Sequence, residues 1–269
     1  MAWWRAWSEA EGKSVTGALN FDPTPDAQTL YKAMKGLGTD EQAIIDVLTK
    51  RSNVQRQQIA KSFKGQFGKD LIESLRSELS GNFERLMVAL MYSPFKYDAK
   101  ELHDAMKGER DNATLYVDTA LALQDAETLY AAGEKIRGTD EIQFITILCT
   151  RSATHLLKVF EEYQKLAGKS IEDSIKSETH GSLEDAMLAI VKCTRNVHCY
   201  FAERLYHALK GAGTHDGTLI RVIVSRSEVD LNLIKVEFKH IAGKSLSSMI
   251  LDDTSGDYKT ALLNLCGSD

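Results

Sequence analysis

Met34-Lys35-Gly36-Leu37-Gly38-Thr39-Asp40 decides the fold, because its core is written three times with the same distant companions. The turn glycine and threonine recur as Gly138-Thr139 and Gly213-Thr214. Twelve residues after each threonine stands an Arg-Ser pair: Arg51-Ser52, Arg151-Ser152 and Arg226-Ser227. A glycine follows 42 residues after each threonine, at Gly81, Gly181 and Gly256. Each copy also places a carboxylate 40 residues beyond its turn glycine, at Glu78, Glu178 and Asp253. One offset matched three times marks a repeated module in which a backbone loop and a distant acid side chain meet.

Between these landmarks the spacing predicts helix. Ile44, Ile45 and Leu48 form one apolar stripe, Leu71, Leu75 and Leu79 a second, and Phe83, Leu86, Met87 and Leu90 a third. Thr24-Pro25 reads as a cap with proline in the first turn, and Thr39 with Gln42 as a capping box. Gly65 and Gly68 are expected to break a helix before Lys69, and Gly81 another. This gives five short helices per unit and no convincing strand. The fold class is all-α, built from repeats.

The repeat arithmetic exposes an anomaly. Gly213 follows Gly138 by 75 residues, one module, but Gly138 follows Gly38 by 100. A further module does begin, since Glu101-Leu-His-Asp-Ala-Met-Lys-Gly108 echoes Thr29-Leu-Tyr-Lys-Ala-Met-Lys-Gly36. It departs at once after Gly108, and by Gln124-Asp125-Ala126-Glu127-Thr128-Leu129-Tyr130 the next unit has opened. The chain therefore reads as three complete repeats plus the first helix of a truncated one. The segments are a tail (1–24), repeat one (25–94), a remnant and linker (95–124), repeat three (125–197) and repeat four (198–269).

Bulk properties narrow the function classes. With 269 residues and 43% hydrophobic content the chain can bury ample core. The apolar stretch from Leu86 to Tyr92 is too short to span a bilayer, and Met1-Ala2-Trp3-Trp4-Arg5-Ala6-Trp7 lacks the apolar run of a signal peptide. A cytoplasmic protein without a spanning anchor is expected. A net charge of −5 argues against nucleic acid as a partner, and against unaided binding to an anionic membrane. Cys149, Cys193, Cys199 and Cys266 follow no zinc or disulfide spacing, so buried free thiols are expected.

Met34-Lys-Gly-Leu-Gly-Thr-Asp with Glu78, and Leu209-Lys-Gly-Ala-Gly-Thr with Asp253, resemble the repeats and calcium loops of the annexin family from about Asp26 onward. Annexins carry four repeats of five helices curled into a disc, so most of repeat two is missing here. The resemblance implies calcium as the bound ion. In repeat one the carbonyls of Met34, Gly36 and Gly38 would converge on an ion completed by the Glu78 carboxylate. Leu209, Gly211, Gly213 and Asp253 would do the same in repeat four. In repeat three Gly133, Ile136 and Gly138 would act with Glu178, although Ile136 stands where glycine is expected. Minor sites would pair Thr39 with Glu41, Thr139 with Glu141 and Thr214 with Asp216.

The chemistry of the residues agrees with a bridging ion. Calcium takes six to eight oxygens and accepts backbone carbonyls as readily as carboxylates. Glycine lets a short turn aim several carbonyls at one point. One acid per ion leaves coordination positions open to water or to a lipid phosphate.

The same residues admit other readings. A lone Gly-x-Gly-Thr between helices is only a turn; the repetition with a distant acid raises it to a site. A nucleotide loop is excluded, since the glycines follow helices and no Walker lysine is present. The Arg-Ser pairs read as structural ties rather than phosphate binders. His155, His180, His198, His207, His215 and His240 have no metal spacing. Trp3, Trp4 and Trp7 sit in a tail expected to pack on its own protein, and Arg137 would favour anionic headgroups.

Together these imply a non-enzymatic, calcium-dependent binder of acidic phospholipid, peripheral on plasma membrane or endosomes. Membrane organisation, contacts with actin or another partner of the tail, and inhibition of coagulation or phospholipase by covering lipid are what the resemblance adds. The rival is a helical scaffold for a protein partner with vestigial calcium loops. Losing the body of repeat two should also uncover an apolar face on repeat three, formed by Ile142, Ile145 and Leu148 with Leu183, Met187 and Ile190.

Overall fold

The computed structural model describes residues 12–36, 38–92, 117–134, 140–211 and 213–268. They form two compact units, one of residues 1–97 with 201–269, the other of residues 98–200. Among the described residues every regular element is an α-helix.

Five helices open the first unit: α1 (Pro23–Ala33), α2 (Glu41–Leu48), α3 (Asn53–Phe67), α4 (Leu71–Glu78) and α5 (Gly81–Met91). The second unit holds α6 (Thr119–Glu134), α7 (Glu141–Thr150), α8 (Ala153–Ala167), α9 (Ile171–Glu178) and the start of α10 (Ser182–Leu209). Asn196 breaks α10 with φ −159° and ψ 101°. Its Oδ1 accepts the N–H groups of His198 and Cys199, both at 3.0 Å, so it caps a fresh helix. That fresh helix leads back into the first unit, completed by α11 (Asp216–Arg226), α12 (Leu231–Ala242), α13 (Leu246–Asp253) and α14 (Gly256–Cys266).

The same local chemistry sets the boundaries each time. Ser52 and Ser152 cap α3 and α8. Asp70, Ser170 and Ser245 cap α4, α9 and α13. Gly68, Gly168 and Gly243 end the long helices at φ 68°, 70° and 69°, a left-handed closure that costs glycine nothing. The apolar stripes are inside: Ile44, Ile45, Leu48, Leu75, Leu86, Met87 and Leu90 have no accessible surface. They share one core with Leu219, Ile223, Leu262 and Leu265, so the first and last five-helix groups fold as one body. The second unit has its own core around Phe144, Leu148, Phe160, Tyr163 and Met187.

Several local expectations are corrected. Asp22, not Thr24, caps α1, accepting the Thr24 N–H at 2.9 Å; Thr24 is the second residue of the helix. Asp40 rather than Thr39 caps α2, because its carboxylate reaches the Ala43 N–H at 3.0 Å. Gly65 lies within α3 and breaks nothing, its missing side chain facing open space; Gly68 alone ends the helix. Only Cys266 is buried among the cysteines, and Cys149 is exposed. On repeat three Leu148 and Met187 turn into the unit's own core, while Ile142 and Ile145 are exposed and Leu183 and Ile190 half-buried. The helical stripe divides because i and i+3 positions straddle the core edge.

The tail packs on its own protein as far as it is described. Ser14 and Val15 donate their N–H groups to the Ser227 carbonyl at 2.8 and 3.0 Å, and Ala18 exchanges two bonds with the Gln55 side chain. Residues 13–18 thereby touch both five-helix groups of the first unit. Trp3, Trp4 and Trp7 lie outside the described residues, as do Arg137 and residues 95–116, where a remnant of repeat two is expected.

Candidate functional site

The segments that follow α1, α6 and α10 are bounded alike. Each is closed by a backbone bond from the residue after the repeated threonine to an alanine in the helix before it. Asp40 donates to Ala33 at 2.9 Å, Asp140 to Ala132 at 3.0 Å and His215 to Ala208 at 2.9 Å. The middle loop is one residue longer. The closure makes Met34, Gly133 and Leu209 equivalent, each following the accepting alanine.

Inside the first and last loops the glycines are held left of what other residues adopt. Gly36 and Gly211 have φ 119° and 123°; Gly38 and Gly213 have φ 87° and 104°. A β-carbon at any of these four would meet nothing within 4 Å. The need for glycine is therefore conformational rather than steric, which is the requirement for turning carbonyls to one side.

The distant acids arrive from helices whose geometry repeats. Glu78, Glu178 and Asp253 are each the final residue of their helix, α4, α9 and α13. The chain then leaves in extended conformation through Leu79, Thr179 or Thr254, and re-enters a helix through Gly81, Gly181 or Gly256 at φ 63°, 68° and 61°. That turn explains the repeated glycine.

In the first and last copies loop and acid come together. Thr39 Oγ1 donates to Glu78 Oε2 at 3.4 Å. A recess beside Glu78 is lined by Tyr31, Met34, Lys35, Gly36, Lys69 and Ser77. In the last loop Thr214 Oγ1 donates instead to the Asp253 backbone carbonyl at 3.4 Å, the aspartate side chain being one methylene shorter. In the middle loop a β-carbon on Gly133 would lie 3.9 Å from Glu178 Cγ and 3.4 Å from the Phe144 ring, so Gly133 abuts the acid's own side chain. Ile136, Gly138 and Thr139 lie outside the described residues. Glu41, Glu141 and Asp216 occupy the first turns of α2, α7 and α11. Asp216 also faces Tyr258, whose hydroxyl is pushed well above its ordinary range by burial and then by that carboxylate. Among the described residues no three His, Cys, Asp or Glu side chains gather as a metal cluster.

A carboxylate at a helix C-terminus opposes the helix dipole, which concentrates negative potential there. The helices α4, α9 and α13 carry this mismatch at equivalent positions. Sequence spacing found the acids but not their terminal placement.

The Arg-Ser pairs tie helices rather than bind ligand. Arg51 makes a fork on Asp26 at 2.6 and 3.0 Å, and Arg151 one on Asp125 at 2.6 and 2.9 Å. His155 Nε2 also lies 2.8 Å from Asp125, and since a carboxylate only accepts, that nitrogen carries the hydrogen. Arg226 has Phe201 in place of the aspartate. It lays its guanidinium 4.6 Å from the ring centroid and pairs with Asp230 instead.

The annexin family model matches this chain over residues 25–90, 124–190 and 200–265. Annexin A8 of Homo sapiens is 63% identical to it across an alignment of 326 positions that covers 100% of both chains, against 269 residues here. Among solved structures, a mutant of annexin A8 with an intact N-terminus is similar at a TM-score of 0.85 and 62% identity, over 96% of this chain and 99% of that one. Calcium-bound annexin (Sm)1 is similar at 0.77 and 26% identity, over 95% and 93%.

Proposed function

The chain belongs to the annexin family, and from that premise we propose that it binds acidic phospholipid surfaces through calcium held in its three loops. The observation that carries this reading is the placement of Glu78, Glu178 and Asp253 at helix C-termini, each beside a loop closed in the same way. A cation there relieves the dipole mismatch and draws its remaining oxygens from carbonyls.

In repeat one those oxygens would come from Met34, Gly36 and Gly38, in repeat four from Leu209, Gly211 and Gly213. In repeat three they would come from Gly133, Ile136 and Gly138. Thr39 with Glu41, Thr139 with Glu141 and Thr214 with Asp216 would hold weaker ions. Calcium binding strengthens with ligand charge and rigidity, so one carboxylate per ion makes a loose site. Its open positions suit a lipid phosphate oxygen. Lipid then raises calcium affinity and calcium raises lipid affinity by the same factor. Three divalent ions would carry the formal charge from −5 up by six to +1, removing the net repulsion from anionic headgroups.

The repeats proposed to carry these loops span 25–94, 125–197 and 198–269, with 95–124 as a remnant of repeat two. A binding role rather than catalysis follows from the loops themselves. Cytoplasmic residence with recruitment to plasma membrane or endosomes fits it. So do membrane organisation, contact with actin, and shielding of lipid from coagulation factors or phospholipase.

The test is calcium-dependent co-sedimentation with phosphatidylserine vesicles, with phosphatidylcholine vesicles as control. Replacing Glu78, Glu178 and Asp253 together by Ala should abolish pelleting and leave the helical circular dichroism intact. Undiminished pelleting of the folded triple variant would falsify the reading, and an unaltered chain that does not pellet with calcium would favour a scaffold for a protein partner.

A further inference from the structure

We propose that the face of repeat three formed by α7 and the first half of α10 is a self-association surface, and that it takes the same face of a second copy of this chain. Inside the first unit two five-helix groups already meet in this manner. There α2 packs on α14, α11 on α5, and α5 on α14. In each group these are the second and fifth helices. Second meets fifth, fifth meets second, and fifth meets fifth: the contact is two-fold in pattern, although made within one chain. A module that can pack so against a copy of itself in sequence can pack so against a copy of itself in solution.

Repeat three has the same two helices, and among the described residues of its own unit no second five-helix group packs on them. Positions on these helices that the first unit buries are open in repeat three. Ile45 of α2 has no accessible surface and its equivalent Ile220 of α11 keeps 5%, but Ile145 of α7 is 41% exposed. Leu86 and Ala261 are fully buried, whereas Ala186 is exposed. Ile142, one turn before Ile145, is 73% exposed. The exposure follows from the missing partner and not from a change of residue type, since Ile45, Ile145 and Ile220 are one amino acid. Helix-pair faces of this kind bury several hundred Å² per partner, and stable complexes need about 800 Å² on each side. Two helices of roughly three turns each supply that order of area when both copies contribute them.

Sedimentation velocity of the full chain without calcium tests this. A reversible monomer–dimer equilibrium is expected at micromolar concentration. Ile145→Glu should weaken it by at least about 100-fold, because each dimer would bury two unpaired carboxylates. Ile142→Glu should act in the same direction, and its position in open solvent leaves folding undisturbed. Val236→Glu, on the exposed side of α12 in the first unit, should leave it unchanged. Alkylation of Cys149, exposed on α7, should slow as concentration rises. A monomer at all concentrations overturns the proposal. So does a dimer indifferent to both isoleucine variants, and so does a Cys149 slow to react even in the dilute monomer, which means that the chain covers this face itself.

Discussion

Arg56 and Glu228 stand 172 positions apart in the sequence, and their side chains meet at 2.6 Å. Arg56 is 99% shielded from solvent, and burial pulls its pKa down while Glu228 resists. The guanidinium also donates to the carbonyls of Leu90 and Leu48 at 2.9 and 3.0 Å and to that of Arg51. Glu228 in turn accepts the Asn53 N–H at 2.8 Å. One ion pair thus joins the first five-helix group to the last and orders the start of α3.

Glu228→Ala should destabilise the first unit by about 3–5 kcal/mol, since it strands a buried guanidinium and the Asn53 N–H together. Urea denaturation followed by far-ultraviolet circular dichroism measures it. A loss below 1 kcal/mol would mean that water replaces the carboxylate freely.

The three terminal acids should trade stability for calcium. Glu78→Gln, Glu178→Gln and Asp253→Asn each remove a negative charge from a helix C-terminus. Each should raise apo stability by a few tenths of a kcal/mol while lowering calcium affinity. Paired calorimetric titration and thermal melting give both signs from one preparation. A fall in apo stability would show that these acids serve the fold.

Acid should weaken repeat three through Asp125. Burial alone would raise its pKa, but hydrogen bonds from Arg151 and His155 prevail and hold it below the ordinary 3.8. A carboxylate depressed on folding contributes stability that is complete above its unfolded pKa, and loses it as pH falls through the folded value. The stability difference between wild type and Asp125→Asn should therefore be widest at neutral pH and close below pH ~4. Urea titrations at several pH values check it; a gap that persists at low pH assigns the loss to packing.

Arg226 should depend on Phe201 where its counterparts depend on aspartate. Phe201→Leu removes the ring beneath the guanidinium and should cost about 1 kcal/mol beyond the packing change. Arg226→Lys should cost more, losing the stack and the fork on Asp230 together. Denaturation of both variants and the double variant gives their coupling energy. A coupling near zero would make the stacked geometry incidental.

The sequence by itself determined the helical repeat, the three glycine turns, the acids at a constant offset from them and the break in the repeat spacing between Gly38 and Gly138. Each of these rests on local spacing: helical period, glycine at a turn, a constant offset. Helix caps were legible only approximately, because Thr39 and Asp40 both suit an N-terminus and only the tertiary setting drew the Thr39 hydroxyl to Glu78. The tertiary structure alone decided which repeats share a core, and that Arg56 crosses between them to Glu228. It alone set Leu148 inward and Ile145 outward on one short helix. Sequence period says that a face is apolar. What covers that face depends on residues a hundred or more positions away, whose approach no local pattern encodes.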